Sequence, residues 1–424
     1  MQHTPIPHLN LTTAQQGPLF PVEKIILKNI GNIEEWFQKE FLKTPPPITS
    51  SVDLRHARYK LAPVDTNLFP GGYNNLNHDF LSICIQAAKN YLSENCSKIL
   101  IIPENHTRNK FYTKSLVVLC DIFLNAGFSV RLGSIAESTQ DVIELKTEEG
   151  DVLLLDQLIR QNNRVVLADF DPCLILLNND LSTGIPEILR DIEQRIEPSI
   201  GLGWSSRLKS QHFEQYNNVA NELSDLIKMD PWFINPFFTH CDNVNFLELR
   251  GIEQIAVAVD DLIFKIQEKY QKYKISDKPF VVIKADNGTY GMSVMMVKSG
   301  EELLAINRKT RTHMSTTKGR QTVSKVIIQE GVYSFEIINK FVSEPVIYMI
   351  GQYIVGGFYR VHQNRGVTEN LNSPGMHFEP LAFAGACHML EEESKIPDAS
   401  NRFYVYGVIA RLATLAAARE MKNI

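Results

Sequence analysis

The sequence predicts an α/β protein with a partly parallel sheet, and two patterns in the first half support this prediction. Residues 79–92 have helical spacing and lead into the apolar run SKILIIP, and a second helix around 111–126 precedes the strand FSVRLG. Apolar strands that alternate with helices are typical of a layered α/β fold. At 424 residues the chain is too long for one ordinary hydrophobic core, so we expect two or three domains.

The elements that follow continue the same pattern. A charged hairpin is predicted near 141–155, then the apolar strands RVVLADF and CLILLNND, and then a helix at 185–196. Two strands end in polar segments, at 100–109 and 174–184. Ligands of open α/β sheets bind at the carboxyl ends of strands, so these segments are candidate binding loops, with solvated turns as the alternative.

A segment rich in proline and aromatic residues, 231–245, interrupts this pattern and marks a domain boundary. Beyond it we predict a helix at 253–270, a hairpin at 281–297 and a strand at 325–332. The chain is therefore divided into three predicted units. They are an N-terminal α/β domain (1–240), a middle unit (250–335) and a C-terminal unit with a terminal helix (336–424).

Composition excludes several classes of function. The chain is 44% hydrophobic and 21% charged, as soluble globular proteins are. Its net charge is −5, and no long cluster of lysine and arginine would follow a nucleic-acid backbone. No apolar run approaches the length that crosses a bilayer, and no signal peptide begins the sequence, so we expect a cytoplasmic protein without membrane or nucleic-acid partners. The six cysteines lack metal-ligand spacing, so we expect reduced, mostly buried thiols. The sequence does not indicate an oligomeric state.

The hairpin VVIKADNGTYGMSVMMV suggests a phosphate site. A glycine-containing tip can lay its backbone N–H groups against phosphate oxygens, and Lys284 at the end of the first arm would add a positive charge. The spacing is not that of a Walker loop, and the same pattern is compatible with a plain turn. A second hairpin region follows at 345–378, where Arg360 follows the outgoing arm. Phosphoryl transfer needs such a cation and oxygen ligands for Mg²⁺.

The order of hairpin, helix and a strand ending in Gln-Glu-Gly-Val resembles the nucleotide lid of the ATP-grasp superfamily. This resemblance implies an N-terminal α/β pre-ATP-grasp-like domain followed by an ATP-grasp-like domain with a glycine-containing lid. It implies substrate binding for 1–240, the lid subdomain for 250–335 and the catalytic subdomain for 336–424. It also implies catalytic roles for Arg360 and Lys284. The implied nucleotide-binding residues are Lys284, Asn287, Gly288, Thr289, Gly291, Gln329, Glu330 and Val332.

The metal ligands depart from the pattern of the superfamily. Its usual Glu-x-Asn pair lies on a late strand, whereas the sequence after 380 is mostly helical. The nearest substitutes for this pair are Glu369, Asn370 and Asn372. Glu336 and Glu344 remain alternatives.

Whole phrases resemble the ATP-grasp-type glutamate–cysteine ligases of proteobacteria. They include SSVDLRHARYKLAPVDTNLFPGGYNN (50–75), KADNGTYGM (284–292) and VGGFYRVHQNRGVTENLNSPGMHFEPL (355–381). This resemblance implies that ATP, with Mg²⁺, activates the γ-carboxylate of glutamate and that cysteine then gives γ-glutamylcysteine, the first step towards glutathione. The alternatives are a glutathione synthetase, another amino-acid ligase, or a non-catalytic nucleotide-binding module.

An amino-acid dicarboxylate needs cations for its carboxylates and acceptors for its ammonium group. Two loop segments supply both kinds of group, and clusters of polar residues in loops favour binding. The first holds Arg55, Lys60, Asp65, Asn67, Asn74 and Asn75. The second holds Glu104, Asn105 and Arg108, with Arg207 and Lys209 as further candidates.

Overall fold

The computed structural model describes residues 6–92, 96–104, 110–136, 142–147, 150, 152–287, 293–316, 322–384 and 401–422. The helices in these ranges are α1 (Pro21–Lys28), α2 (Ile30–Lys43), α3 (Leu81–Tyr91), α4 (Lys110–Asn125), α5 (Lys209–Ile227), α6 (Ile252–Lys272), α7 (Gly300–Leu304), α8 (Arg308–Met314) and α9 (Arg402–Met421). Short 3₁₀ turns lie at Tyr73–Asn75, His78–Phe80, Glu187–Leu189, Ile200–Leu202 and Pro231–Phe233.

The first half of the chain contributes ten strands in the described ranges. They are β1 (Thr49–His56), β2 (Leu61–Asn67), β3 (Lys98–Pro103), β4 (Ser129–Ser134), β5 (Val142–Lys146), β6 (Val152–Gln157), β7 (Ile159–Gln161), β8 (Arg164–Val166), β9 (Leu174–Asn178) and β10 (Arg195–Glu197). The second half contributes β11 (Phe238–Asp242), β12 (Val281–Ala285), β13 (Val294–Val297), β14 (Lys325–Glu330), β15 (Glu336–Ile338), β16 (Phe341–Ile350), β17 (Tyr353–His362) and β18 (Met376–Pro380). The fold is therefore mixed α/β, as predicted.

A mostly parallel sheet of six strands, in the order β10-β9-β3-β4-β6-β5, forms the first layer. Only β5 runs antiparallel, to β6, which confirms the hairpin predicted near 141–155. Strands β3 and β9 are neighbours, and Pro103 pairs with Asn178 at their carboxyl ends. The two polar strand ends predicted as binding loops therefore begin side by side at one edge of this sheet.

The helix predicted at 185–196 does not form. The segment instead makes the 3₁₀ turn Glu187–Leu189 and then β10, which pairs in parallel with β9. Asp191 lies in the left-handed region, with φ +49°, and a right-handed helix cannot pass through such a residue. The isoleucines that suggested helical spacing pack against the hydrophobic core of the parallel sheet instead.

The second layer is an antiparallel sheet that combines strands from the N-terminal and C-terminal parts of the chain. Its order is β18-β17-β16-β1-β2, and β15 also pairs with β16. Strand β1 pairs with β16 from Thr49↔Ile350 to Asp53↔Val346. The predicted units 1–240 and 336–424 therefore share one sheet, so the boundary drawn near 240 does not separate them. Long-range strand pairing of this kind leaves no local signal in the sequence.

Helix α9 packs beside this antiparallel sheet and is buried on all sides. Its sequence, RFYVYGVIARLATLAAAREM, has apolar residues on every face, as expected for a helix with no solvent face. The buried charges of the helix are paired: Arg402 with Glu23, Arg411 with Glu34 and Glu420 with Arg207. No helix among the described residues is long and apolar enough to span a bilayer.

The third layer is a smaller antiparallel sheet, in the order β11-β14-β12-β13, and α6 packs against it. Helix α6 confirms the helix predicted at 253–270, and its buried face includes Ile255, Val259 and Ile266. The sheet confirms the pairing of the two predicted hairpin arms, β12 and β13. The hairpin tip at 288–292 lies outside the described residues.

Cys96 and Cys173 form a disulfide, with a Cα–Cα distance of 5.5 Å. The expectation of reduced thiols is therefore wrong for this pair. Each cysteine lies just before one of the neighbouring strands β3 and β9, so the parallel pairing brings the two together. Cys84, Cys120 and Cys241 are free and buried, as expected.

Candidate active site

Two cavities open on the same face of the antiparallel sheet. The larger measures about 350 Å³ and extends towards the carboxyl ends of β3 and β9, where Glu104 and Asn178 line it. The smaller measures about 90 Å³ and lies between this sheet and strands β12 and β14. They share five lining residues, all polar or charged: Asp53, Asp65, Lys209, Arg360 and Asn372.

Strand alternation explains why charged side chains gather on this face, because residues two apart point to the same side of a sheet. Asp53 and Arg55 are two apart on β1, and both line the smaller cavity. Pairing of β1 with β2 sets Asp53 opposite Asp65, and pairing of β16 with β17 sets Glu344 opposite Arg360. The charges therefore lie side by side across four strands.

These charges form a continuous chain of ion pairs. Arg360 Nη1 donates to Asp53 Oδ2 at 2.8 Å and to Glu344 Oε1 at 2.6 Å, and Arg55 Nε donates to Glu344 Oε2 at 3.0 Å. Burial raises the pKa of Asp53 despite the opposing effect of Arg360. Burial also acts to raise the pKa of Glu344, but its two arginine partners together hold that pKa below its usual value. Each buried charge thus has a partner, as charges of low exposure require.

An irregularity in β2 supplies a backbone acceptor for Lys284 at this site. The register between β1 and β2 shifts after Asp53, which leaves Val64 without a cross-strand partner. The Val64 carbonyl accepts from Lys284 Nζ at 2.7 Å, and Gln329 Oε1 accepts from the same nitrogen at 2.9 Å. Desolvation in the cavity wall lowers the pKa of Lys284 to about 8.

The start of α5 supplies a further cation. Lys209 Nζ donates to Asp65 Oδ1 at 3.0 Å. Burial opposes ionisation of Asp65, yet Lys209 and Lys284 hold its pKa well below the usual range. Asp286, just after β12, accepts from Ser210 N at 2.8 Å and from Ser210 Oγ at 2.7 Å. This carboxylate caps the first turn of α5 and ties it to the hairpin sheet.

Two buried donors at the cavities have no acceptor among the described residues. One is Gln329 Nε2, beside the smaller cavity, and the other is Arg360 Nε, where the cavities meet. Buried donors are normally paired, so each is suited to an acceptor atom of a bound ligand.

Lys60 and Glu330 form an internal ion pair at 2.8 Å. Glu330 also accepts from Trp232 Nε1 at 3.0 Å and from Phe237 N at 2.9 Å, and Lys60 Nζ lies 4.3 Å from the centroid of the Trp232 ring. Lys60 is 1% exposed and lines neither cavity. The geometry therefore places Lys60 at the junction between β2, β14 and the 231–237 segment, whereas Glu330, at the same junction, also lines the smaller cavity.

The remaining predicted residues are distributed as follows. Asn67, Asn74, Asn75 and Glu104 line the larger cavity, as do the further candidates Arg207 and Lys209. Arg55, Gln329, Val332 and Asn370 line the smaller cavity. Asn287 lines neither, and its amide donates to the Ser205 carbonyl at 3.5 Å. Gly288, Thr289, Gly291, Asn105 and Arg108 lie outside the described residues.

Of the predicted metal ligands, Asn370 and Asn372 both line the smaller cavity, whereas Glu369 lines neither cavity. Glu369 turns away from the cavities, because its carboxylate accepts from Arg365 Nη1 at 2.8 Å and from Gly366 N at 2.7 Å. Glu336 bonds to Tyr406 and His56 in the core, while Glu344 lines the smaller cavity. Within the described ranges no three acidic, histidine or cysteine side chains form a metal cluster.

Asp53 is the main site residue that sequence reasoning missed. The phrase SSVDLRH carried a usable signal, since Asp53 and Arg55 alternate with the apolar residues Val52 and Leu54 on a predicted strand. Two such charges must share one face of the sheet, and burial of that face requires partners.

A polar junction between two cavities, built from paired carboxylates and cations on a mixed α/β framework, is typical of proteins that bind charged small molecules. The model of the family described as GshA, glutamate-cysteine ligase, matches residues 23–421. The chain therefore belongs to the glutamate–cysteine ligase family. This confirms the activity predicted from the sequence, ligation of glutamate to cysteine, and ligation of this class uses ATP.

A similar solved structure comes from Methylobacillus flagellatus KT, and its assignment as a gamma-glutamylcysteine synthetase is provisional. It is 50% identical, covers 99% of each chain and has a TM-score of 0.85. A glutathione synthetase-like effector from Globodera pallida is 9% identical over 80% of this chain and 81% of its own, with a TM-score of 0.36. D-alanyl-alanine synthetase A from Vibrio cholerae O1 biovar eltor str. N16961 is 10% identical over 76% and 82%, with a TM-score of 0.32. Among curated protein sequences, none matches this chain.

Proposed function

We propose that the nucleotide binds in the smaller cavity, that both amino acids bind in the larger one, and that phosphoryl transfer occurs where the two meet. The observation that carries this proposal is the set of residues common to both cavities, which includes two cations, Arg360 and Lys209. A phosphoryl group passes from one ligand to the other, so its site must border both. Preorganised cations at that position stabilise the negative charge that develops during transfer.

The reaction has two steps. The γ-carboxylate of glutamate attacks the terminal phosphorus of ATP, ADP leaves, and an acyl phosphate forms. The amine of cysteine then attacks the acyl carbon, loses a proton, and displaces phosphate to give γ-glutamylcysteine. An enclosed site protects the acyl phosphate from water, and the hairpin of β12 and β13 is positioned beside the smaller cavity to contribute to that enclosure.

The arrangement is compatible with an ATP-grasp-like site that uses Mg²⁺. Lys284 and Gln329 would contact the nucleotide, since the first supplies a cation and the second an unpaired amide donor. The junction offers oxygen ligands from Asp53, Asp65 and Asn372, the kind of donor that Mg²⁺ takes together with substrate phosphates. The metal would neutralise charge on the phosphate oxygens.

Release of ADP tests this assignment directly. We expect ADP from ATP when glutamate and cysteine are both present, and no comparable release when either is omitted. Glycine added with γ-glutamylcysteine is the matched test for a glutathione synthetase. ADP release with that pair, or release independent of glutamate, would contradict the proposal.

The lowered pKa of Lys284 predicts a pH dependence. The side chain is protonated below pH 8 and loses its charge as pH rises through about 8, so its attraction for phosphate weakens there. We expect kcat/KM for ATP, which reports the free enzyme, to fall across this range. Lys284→Arg keeps its charge throughout, because an arginine guanidinium stays protonated. In this variant the fall near pH 8 should disappear, and a fall identical to that of the wild type would assign the titration to another group.

A further inference from the structure

The face of the antiparallel sheet that borders the larger cavity is divided into a charged half and an apolar half. The apolar half, here called the aromatic wall, consists of Val346, Tyr348, Phe358, Met376 and Phe378, and all five line the larger cavity. The ring centroids of Tyr348 and Phe358 are 5.4 Å apart, and those of Phe358 and Phe378 are 4.8 Å apart. The rings therefore form one continuous surface.

Strand register places this wall directly beside the charged junction. Val346 pairs with Asp53, and Phe378 pairs with Arg360. Paired strands are about 4.8 Å apart, so a ligand at the junction can touch the wall with a substituent of one or two atoms. The wall also keeps its position firmly, because Tyr348 Oη donates to the Gly71 carbonyl at 2.8 Å.

The chemistry of the two amino acids decides which of them meets the wall. Glutamate carries two carboxylates and an ammonium group, and its short methylene chain joins charged ends that require polar partners. Cysteine has one weakly polar substituent, the thiol, which behaves as a small hydrophobe and makes favourable contacts with aromatic rings. The polar side of the cavity, with Asn74, Asn75 and Glu104, suits glutamate.

We propose that the aromatic wall binds the side chain of the acceptor amino acid and selects a thiol against a hydroxyl. This inference rests on the proposed function, since it assumes that the acceptor amine reacts at the junction. A serine hydroxyl placed against the rings would give up its bonds to water and gain few in return. An apolar side chain of similar size would be accepted, because the wall offers it contact without a polar requirement.

The wild-type enzyme provides the first test, with cysteine, serine and 2-aminobutyrate as acceptors. The ethyl side chain of 2-aminobutyrate is close to the thiol in size and has no polar atom. We expect kcat/KM for serine to be lower than that for 2-aminobutyrate by at least about tenfold, within the range that pocket contacts achieve. Equal use of serine and 2-aminobutyrate would overturn the proposal.

Replacement of Phe378 provides the second test. Phe378 is half-buried on edge strand β18, where Phe378→Thr offers the acceptor a hydroxyl partner. Phe378 also packs against the main hydrophobic core, so circular dichroism first establishes that the variant is folded. We expect the ratio of kcat/KM for cysteine to that for serine to fall by about tenfold, while KM for ATP and glutamate stays unchanged. Phe378→Leu keeps the wall apolar and should keep most of the selectivity.

Phe341→Thr is the matched control. Phe341 is also half-buried on the same sheet, but it lies outside both cavities, so its replacement should leave the ratio unchanged. An active ligase whose ratio is unaffected by Phe378→Thr would overturn this inference and leave the proposed function intact. Absence of ADP release with glutamate and cysteine in the wild type would instead contradict the proposed function.

Discussion

Arg360→Lys is expected to lower kcat by about 10²–10³-fold, the loss that follows removal of a preorganised donor from a developing charge. Arg360 lies where the cavities meet, and Asp53 and Glu344 hold its guanidinium in one orientation. Lysine keeps the positive charge next to both carboxylates, so folding should be retained. Lysine cannot present several fixed N–H groups at once, so it would stabilise the negative charge on the transferred phosphoryl group less well. Steady-state kinetics with ADP release measures the effect.

Arg365→Lys is the control for this prediction. Arg365 is exposed, pairs with Glu369 at 2.8 Å and lines neither cavity, so its replacement should leave kcat unchanged. Nucleotide binding should largely persist in Arg360→Lys, because Lys284 and Gln329 remain. A kcat within twofold of the wild type would remove Arg360 from the chemistry.

Lys60→Met is expected to lower the free energy of unfolding by about 3–5 kcal/mol, the cost of leaving a buried charge without its partner. Glu330 is 2% exposed and would keep only its neutral donors from Trp232 and Phe237. Chemical denaturation of the wild type and the variant measures the change, and equal m-values show that the shift in midpoint reports stability. If Lys60 instead bound substrate, the variant would show a raised KM for glutamate or cysteine with unchanged stability.

The double variant Lys60→Met with Glu330→Gln separates loss of the ion pair from loss of packing. Glutamine removes the uncompensated charge and still accepts a hydrogen bond, so much of the lost stability should return. Lys39→Met is the matched surface control, because Lys39 and Glu35 pair at 2.5 Å with both side chains largely exposed. Exposed pairs contribute little, so its denaturation midpoint should not move. A double variant as unstable as Lys60→Met would show that burial of the charge is not the cause.

Local patterns in the sequence predicted much of the fold. Helix 253–270 and the arms of the hairpin at 281–297 follow from the spacing of apolar residues over a few turns or strand residues, and both form. The helix at 185–196 had a similar spacing but failed, because one residue with positive φ, Asp191, interrupts it. The spacing of apolar residues indicates which side chains are buried. The backbone conformation of a single residue can still decide whether the segment that carries them is a helix.

The candidate site shows the same difference between what local sequence predicts and what the folded chain decides. Asn74, Asn75 and Glu104 were predicted from polar loops, and they do line the larger cavity. Lys60 was predicted on the same grounds, yet it pairs with Glu330, which lies 270 positions away in the chain. Residue type was informative in both cases, but the partner of a charged side chain is a property of the folded chain.

The sequence by itself determined the family, the ligation it carries out and most of the individual strands and helices, because these depend on short phrases and local spacing. Only the tertiary structure decided that β1 and β2 join a sheet with β15, β16, β17 and β18, and that Arg55 meets Glu344 across 289 positions. It likewise decided that an aromatic wall lies beside the charged junction. The physical reason is that hydrogen bonds between strands impose a register on residues far apart in sequence, and that register selects which charges share a face.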